Sequence, residues 1–190
     1  MNYNFEIPKD EKVIIIEGIA GSGKTTLLNY IKEKFPKKKI YVFSENEMLF
    51  SWKHINLPNI SEIRLKFFDN LLNYIETSIK KDDELIFVLE RFHITLKYFG
   101  ELEKNQIEDY NSILVKLKKM SPYLIFLMLD ENKIKERSIH KERGIQWEDY
   151  IKLKMKKRNF KNFSDMYIDE QKKIKKIIEE QSIPYSIINN

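Results

Sequence analysis

Gly18-Ile19-Ala20-Gly21-Ser22-Gly23-Lys24-Thr25-Thr26 is the stretch that decides the fold. Its spacing is glycine, four residues, then Gly-Lys-Thr, the pattern of a phosphate-binding P-loop. Before it, Val13-Ile14-Ile15-Ile16 is a β-branched apolar run that reads as a buried strand. After it, Leu27, Leu28, Ile31 and Phe35 fall on one face of a helix. Glycines at 18, 21 and 23 let the backbone curl so that its N–H groups point inward at an anion. The start of the helix adds the positive end of its dipole, with Ser22 and Thr26 on the rim. Lys24 can reach the β- and γ-phosphates, and the Thr25 hydroxyl can hold Mg²⁺, so the ligands implied are ATP and Mg²⁺. Three of the five glycines in the chain lie in these nine residues, which argues against a chance turn.

The 190 residues, 42% hydrophobic, are enough for a single domain over 1–190 with a substantial core. No run of about 18 apolar residues occurs, so no membrane span is expected. The start, Met1-Asn2-Tyr3-Asn4-Phe5-Glu6, lacks a basic region followed by an apolar one, so no signal peptide is expected. Cysteine is absent, which excludes disulfides and thiolate metal sites. Together these features point to the cytoplasm. The net charge is +5, but the lysines are dispersed, as on a solvated surface. Neither a nucleic-acid partner nor a membrane surface is expected from them.

The pattern along the chain predicts strands over 11–17, 40–43, 85–89, 123–129 and 185–188. It predicts helices over 23–35, 61–80, about 107–117, 134–143, 147–157 and 165–180. Pro36 stops the first helix, and Ser61 and Ser164 read as N-caps. Residues 48–60 are apolar without a period. Five continuous apolar strands alternating with helices make an α/β fold with a parallel sheet buried on both faces. Ligands of such sheets bind beyond the carboxyl ends of the strands.

The charged residues at those ends are therefore the candidates. Glu45 follows the second strand, Glu90 and Arg91 the third, and Asp130 the fourth. Phosphoryl transfer needs charge compensation, a metal, and a group that orients or deprotonates the nucleophile. Glu90 can hold a metal-bound water or take a proton, and Arg91 can hold a phosphate or the 5′ end of a nucleoside. Asp130 reads as a helix cap instead. Later, Arg137 and Lys141 share a helix face with His140, and Arg143 and Gly144 follow. That basic segment, about 131–146, fits either a lid over the transferring group or a solvated helix face.

These residues resemble a known group. The run from Glu17 to Thr26 resembles the P-loop of thymidylate kinases and deoxynucleoside kinases. Glu90-Arg91-Phe92-His93 resembles the acid-Arg-aromatic motif that ends the third strand in thymidylate kinase-like proteins. Arg137, Lys141 and Arg143 resemble their basic lid. The resemblance implies a three-layer P-loop fold with strand order 2-3-1-4-5, ATP-Mg²⁺ as donor, and a nucleoside monophosphate as acceptor. Lys24 and the lid cations would hold the transferring group, and Arg91 the acceptor. Phe67, Phe68 or Trp52 would stack on the base, and a homodimer is a state such proteins adopt. Two positions depart from the pattern. Ala20 stands where thymidylate kinases carry an acid in the loop, and Ser44, where they carry an arginine, precedes Glu45. Glu45 is similar to the catalytic base of deoxynucleoside kinases, because a 5′ hydroxyl must lose a proton whereas a monophosphate is already ionised. A deoxynucleoside kinase is therefore the alternative. An ATP-driven switch or nucleic-acid-directed NTPase, and a kinase of some other small molecule, are further alternatives.

Overall fold

A computed structural model describes residues 10–48, 59–98, 102, 104–137 and 145–190, except for the side chain of Gln146. Its five strands are β1 (Val13–Gly18), β2 (Lys39–Phe43), β3 (Leu85–Glu90), β4 (Tyr123–Met128) and β5 (Tyr185–Asn189). They form one parallel sheet in the order β2-β3-β1-β4-β5, as the resemblance implied. The helices are α1 (Lys24–Lys34), α2 (Ile60–Lys81), α3 (His93–Tyr98), α4 (Ile107–Lys118), α5 (Glu131–Arg137), α6 (Ile145–Lys157) and α7 (Phe163–Glu179).

The strand sequences explain the layers. Successive side chains point to opposite faces, so an unbroken apolar run serves two cores. Val13, Ile15, Phe87, Leu89, Leu124 and Phe126 face the cluster that contains residues of α2, α4 and α7. Ile14, Ile16, Ile86, Val88, Ile125 and Leu127 face Leu27 and Ile31 of α1. Fully burying an Ile, Leu or Phe contributes about 1.5–3 kcal/mol, so a one-residue slip of any central strand is strongly disfavoured. A third cluster lies beyond the strand ends. There, Ile19 and Ala20 of the loop pack with Leu129, Ile134, Trp147, Ile151, Met166 and Tyr167.

Several local expectations are corrected. Helix α2 starts at Ile60 after Asn59, whose φ of 55° suits asparagine, and Ser61 lies inside it, buried. The cap of α7 is Asn162, whose side chain accepts from the Asp165 N–H at 2.9 Å, rather than Ser164. Helix α5 starts three residues earlier than predicted, after Asp130, whose side chain accepts from the Asn132 N–H. Helix α3 carries no periodic signal long enough to predict. Phe68 is fully buried and packs on Phe92 at 4.5 Å between centroids, so it belongs to the core and offers no stacking face to a ligand. Trp52, His140, Lys141, Arg143 and Gly144 lie outside the described residues.

Candidate active site

The loop between β1 and α1 has the geometry its glycines allow. Gly21 and Gly23 have φ of 77° and 98°, and Gly23 caps α1. Ser22 N–H donates to the Ile19 carbonyl at 3.3 Å, and Asn190 Nδ2 donates to the Ser22 carbonyl at 2.8 Å. The residue just after β5 thus ties down the loop, a contact with no signal in the sequence. Thr25 and Thr26 are exposed at the first turn of α1. The Ser22 hydroxyl is buried and has no hydrogen-bond partner among the described residues.

Gly18 makes the tightest approach. A Cβ there would lie 2.5 Å from Ser22 Oγ and 2.8 Å from the Leu127 carbonyl oxygen. The second contact is backbone in the centre of the sheet and cannot swing aside. Gly18→Ala is expected to lower the unfolding free energy by about 1–3 kcal/mol, the usual cost of overpacking a core. An unchanged urea midpoint would show that β4 yields there.

Lys24 is 8% exposed. Its ammonium folds over the loop and donates to the carbonyls of Gly18 and Ile19, both at 3.3 Å. Burial, then the neighbouring Arg91, lowers its pKa, and Glu45 and Glu90 work the other way. Glu45 Oε2 lies 3.9 Å from Lys24 Nζ and 3.2 Å from Arg91 Nε. The contact with Nε is an ion pair without hydrogen-bond alignment. The Glu45 side chain keeps 40% of its surface open. Its backbone is anchored, because Glu45 N–H donates to Glu90 Oε2 at 3.2 Å. Glu90 is half-buried at the end of β3, beside Ile16.

Arg91 follows with φ of 57°, a backbone conformation that a long side chain adopts only when its surroundings impose it. Its N–H donates to the Ile16 carbonyl at 3.0 Å. The guanidinium is 6% exposed, and its Nη1 donates to Glu170 Oε1 at 3.3 Å. Burial opposes its charge, but Glu45, Glu170 and Glu17 outweigh burial and raise its pKa. Glu170, on α7, is fully buried and also accepts from Lys154 Nζ of α6 at 2.7 Å. Burial pushes the Glu170 carboxyl up, but Lys154 and Arg91 bring it down to about 2.

On the other side of Arg91, Glu17 is fully buried at the end of β1. It accepts from the Phe92 N–H at 3.0 Å and from the Thr95 hydroxyl at 2.9 Å, joining the loop to the start of α3. Burial raises its pKa from 4.5 to about 7, with Arg91, Thr95 and Phe92 pulling the other way. An acid whose pKa is raised binds more protons folded than unfolded, so its contribution favours folding below pH 4.5 and is lost as pH rises through 7. Relative to Glu17→Gln, the wild type is expected to lose on the order of 3 kcal/mol of stability between about pH 4.5 and 8. Denaturant midpoints of both proteins across that window test this, and a constant difference would contradict it.

The structure thus brings Lys24, Glu45, Glu90 and Arg91 together at the strand ends, where the sequence rule put them. Arg137 closes α5, half-buried. Ala20, which stands where the resembling kinases carry an acid, is 8% exposed in the third apolar cluster. Glu17, Lys154, Glu170 and Asn190 complete the site and were missed.

The strand order, the loop and the helix it feeds settle the architecture. The fold is that of the P-loop NTPases. No protein-family profile matches the chain, and no curated protein matches its sequence. By structure, 140 solved chains match it. One is YorR from Bacillus subtilis, crystallised in complex with phosphorylated GDP. It superposes with a TM-score of 0.57 at 15% identity, over 93% of this chain and 85% of that one. At that identity the likeness is one of fold. Among the described residues, no helix is long and apolar enough to cross a membrane.

Proposed function

We propose that the chain is an ATP-dependent phosphotransferase acting on a nucleoside-class acceptor, with Glu45 as general base. The observation that carries this reading is the Glu45 carboxylate, ion-paired with both Lys24 and Arg91 and 40% exposed at the strand ends. The loop fits a nucleoside triphosphate. It has glycines at positive φ, a buried Ser22 hydroxyl without a hydrogen-bond partner among the described residues, and an ammonium lying on the loop's own carbonyls. That the structural neighbour was crystallised with phosphorylated GDP supports a nucleotide here. Mg²⁺ takes few protein oxygens beside phosphates and water, and the Thr25 hydroxyl and the Glu90 carboxylate are the groups that would hold it. When bound, it supplies positive charge across the transferring phosphates.

The chemistry follows from the side chains. Glu45 takes the proton of the acceptor's 5′ hydroxyl as that oxygen bonds to the γ-phosphorus. The bond to the β-phosphate oxygen breaks and ADP leaves. Lys24 offsets the charge that gathers on the transferring oxygens. Arg91 fixes the orientation of Glu45 through their ion pair. Arg137, Lys141 and Arg143 would close over the phosphates as a lid.

A nucleoside monophosphate kinase of the thymidylate kinase type is the second reading. It is favoured by the guanidinium of Arg91 at the end of β3, where the resembling enzymes hold the acceptor phosphate. ATP consumption with Mg²⁺, measured against nucleosides and 5′-monophosphates with and without nucleic acid, separates the readings. Turnover with nucleosides is the expected result. Turnover with monophosphates alone would make Arg91 the holder of the acceptor phosphate and leave no general-base role for Glu45. Stimulation by nucleic acid alone would replace both readings with an NTPase.

A further inference from the structure

We infer that Glu170, braced by Lys154, is a specificity-determining positioning residue that takes up the charge of Arg91 and so closes the acceptor site to phosphate-bearing acceptors. The inference rests on the phosphotransferase reading above and deepens it.

An arginine that holds a phosphate needs its donors free to fork onto two oxygens. Here the guanidinium is ion-paired on two sides before any ligand arrives. Its Nη1 donates to Glu170 Oε1 at 3.3 Å, and its Nε faces Glu45 Oε2 at 3.2 Å. The second Glu170 oxygen is held by Lys154 Nζ at 2.7 Å. Glu45, Arg91, Glu170 and Lys154 therefore form a chain of alternating sign, with Lys24 3.9 Å from Glu45 at its end. Glu170 is fully buried, so no solvent screens its hold on Arg91. The groups around the chain are Lys24 and Glu90 beside Glu45, then Tyr150, Glu17 and Arg158, the last with its guanidinium 4.2 Å from the Tyr98 ring. A monophosphate entering here meets the carboxylate of Glu45 and an arginine already neutralised. A neutral hydroxyl meets a base and loses nothing. Buried ion pairs of this kind seldom add net stability, so specificity is the better account of this one. The role belongs to positioning, since Glu170 reaches the acceptor only through Arg91.

The test is the ratio of kcat/KM for the common deoxynucleosides to that for their 5′-monophosphates, in wild type, Glu170→Gln, and the double variant Lys154→Met with Glu170→Gln. The double variant removes one buried charge of each sign and guards against misfolding of the single one. The wild type is expected to prefer nucleosides. Both variants should lower the ratio by about tenfold or more, the worth of a charge-assisted hydrogen bond that Arg91 regains for phosphate. Glu170→Asp, which keeps the charge, should restore at least part of the preference. Calorimetric binding of the same compounds gives the ratio independently of turnover. A ratio unmoved in both variants, or a wild type that prefers monophosphates in both assays, overturns the inference. A binding ratio that shifts as expected without any transfer from ATP supports it and overturns the phosphotransferase reading alone.

Discussion

Lys24→Ala is expected to lower kcat by about 10³-fold or more while the protein stays folded. The rate loss follows from the place of the ammonium. It lies at the mouth of the glycine loop, donating to the carbonyls of Gly18 and Ile19 at 3.3 Å with Glu45 3.9 Å away, and a phosphate would draw it off those carbonyls. Removing one preorganised donor from developing charge typically costs about 10²–10³-fold, and a full positive charge in a site shielded from water is worth more. The fold survives for a separate reason. Burial disfavours the charged form of Lys24, as its lowered pKa records, so truncation relieves that cost. The apolar contacts of α1 rest on Leu27 and Ile31, which the change leaves intact. Steady-state turnover and a thermal melt on the same sample check both halves. Retained turnover would remove the loop from the mechanism.

Glu45→Gln is expected to lower kcat by about 10²-fold or more with a nucleoside acceptor, the usual worth of a positioned general base. Glutamine matches the shape, and the Glu45 N–H keeps its bond to Glu90, so the backbone stays in place. What is lost is the basic oxygen and the negative charge between Lys24 and Arg91. The variant separates the two acceptors. A monophosphate needs no base, so with such a substrate the same change should have little effect, or improve binding by removing repulsion. A loss of less than about fivefold with nucleosides would transfer the catalytic role elsewhere.

The sequence was most readable where local and global constraints coincide. The apolar run from Val13 to Ile16 could only be a strand buried on both faces, and it delivers the glycine loop to a strand end. Because all five strands are parallel, their ends gather on one edge. The acids and the arginine just after β2 and β3 therefore met Lys24 as the strand-end rule required. The missed half of the site comes from helices distant in sequence. Glu170 and Lys154 are single charges among many on lysine-rich helices. A signal was nevertheless present. Glu170 falls on the face of Met166, Ile174 and Ile177, and Lys154 on that of Trp147 and Ile151, all buried. A charge on an apolar face is costly unless it is paired, so each should have prompted a search for a partner of opposite sign. Glu17 had the same signal, as an acid at the end of an apolar strand. Asn190 had none, because its bond to the loop depends on the sheet bringing β5 beside β4. The choice between Phe67 and Phe68 turned on a helix phase that one residue decides, and Phe68 took the core side.

The most direct test of the central claim follows the label of γ-³²P-ATP in the presence of Mg²⁺ and a mixture of deoxynucleosides. Labelled 5′-monophosphates, formed in step with ADP and lost in Lys24→Ala, are the expected result. Label released only as inorganic phosphate, at a rate indifferent to the nucleosides, would contradict it and make the protein an ATPase rather than a phosphotransferase.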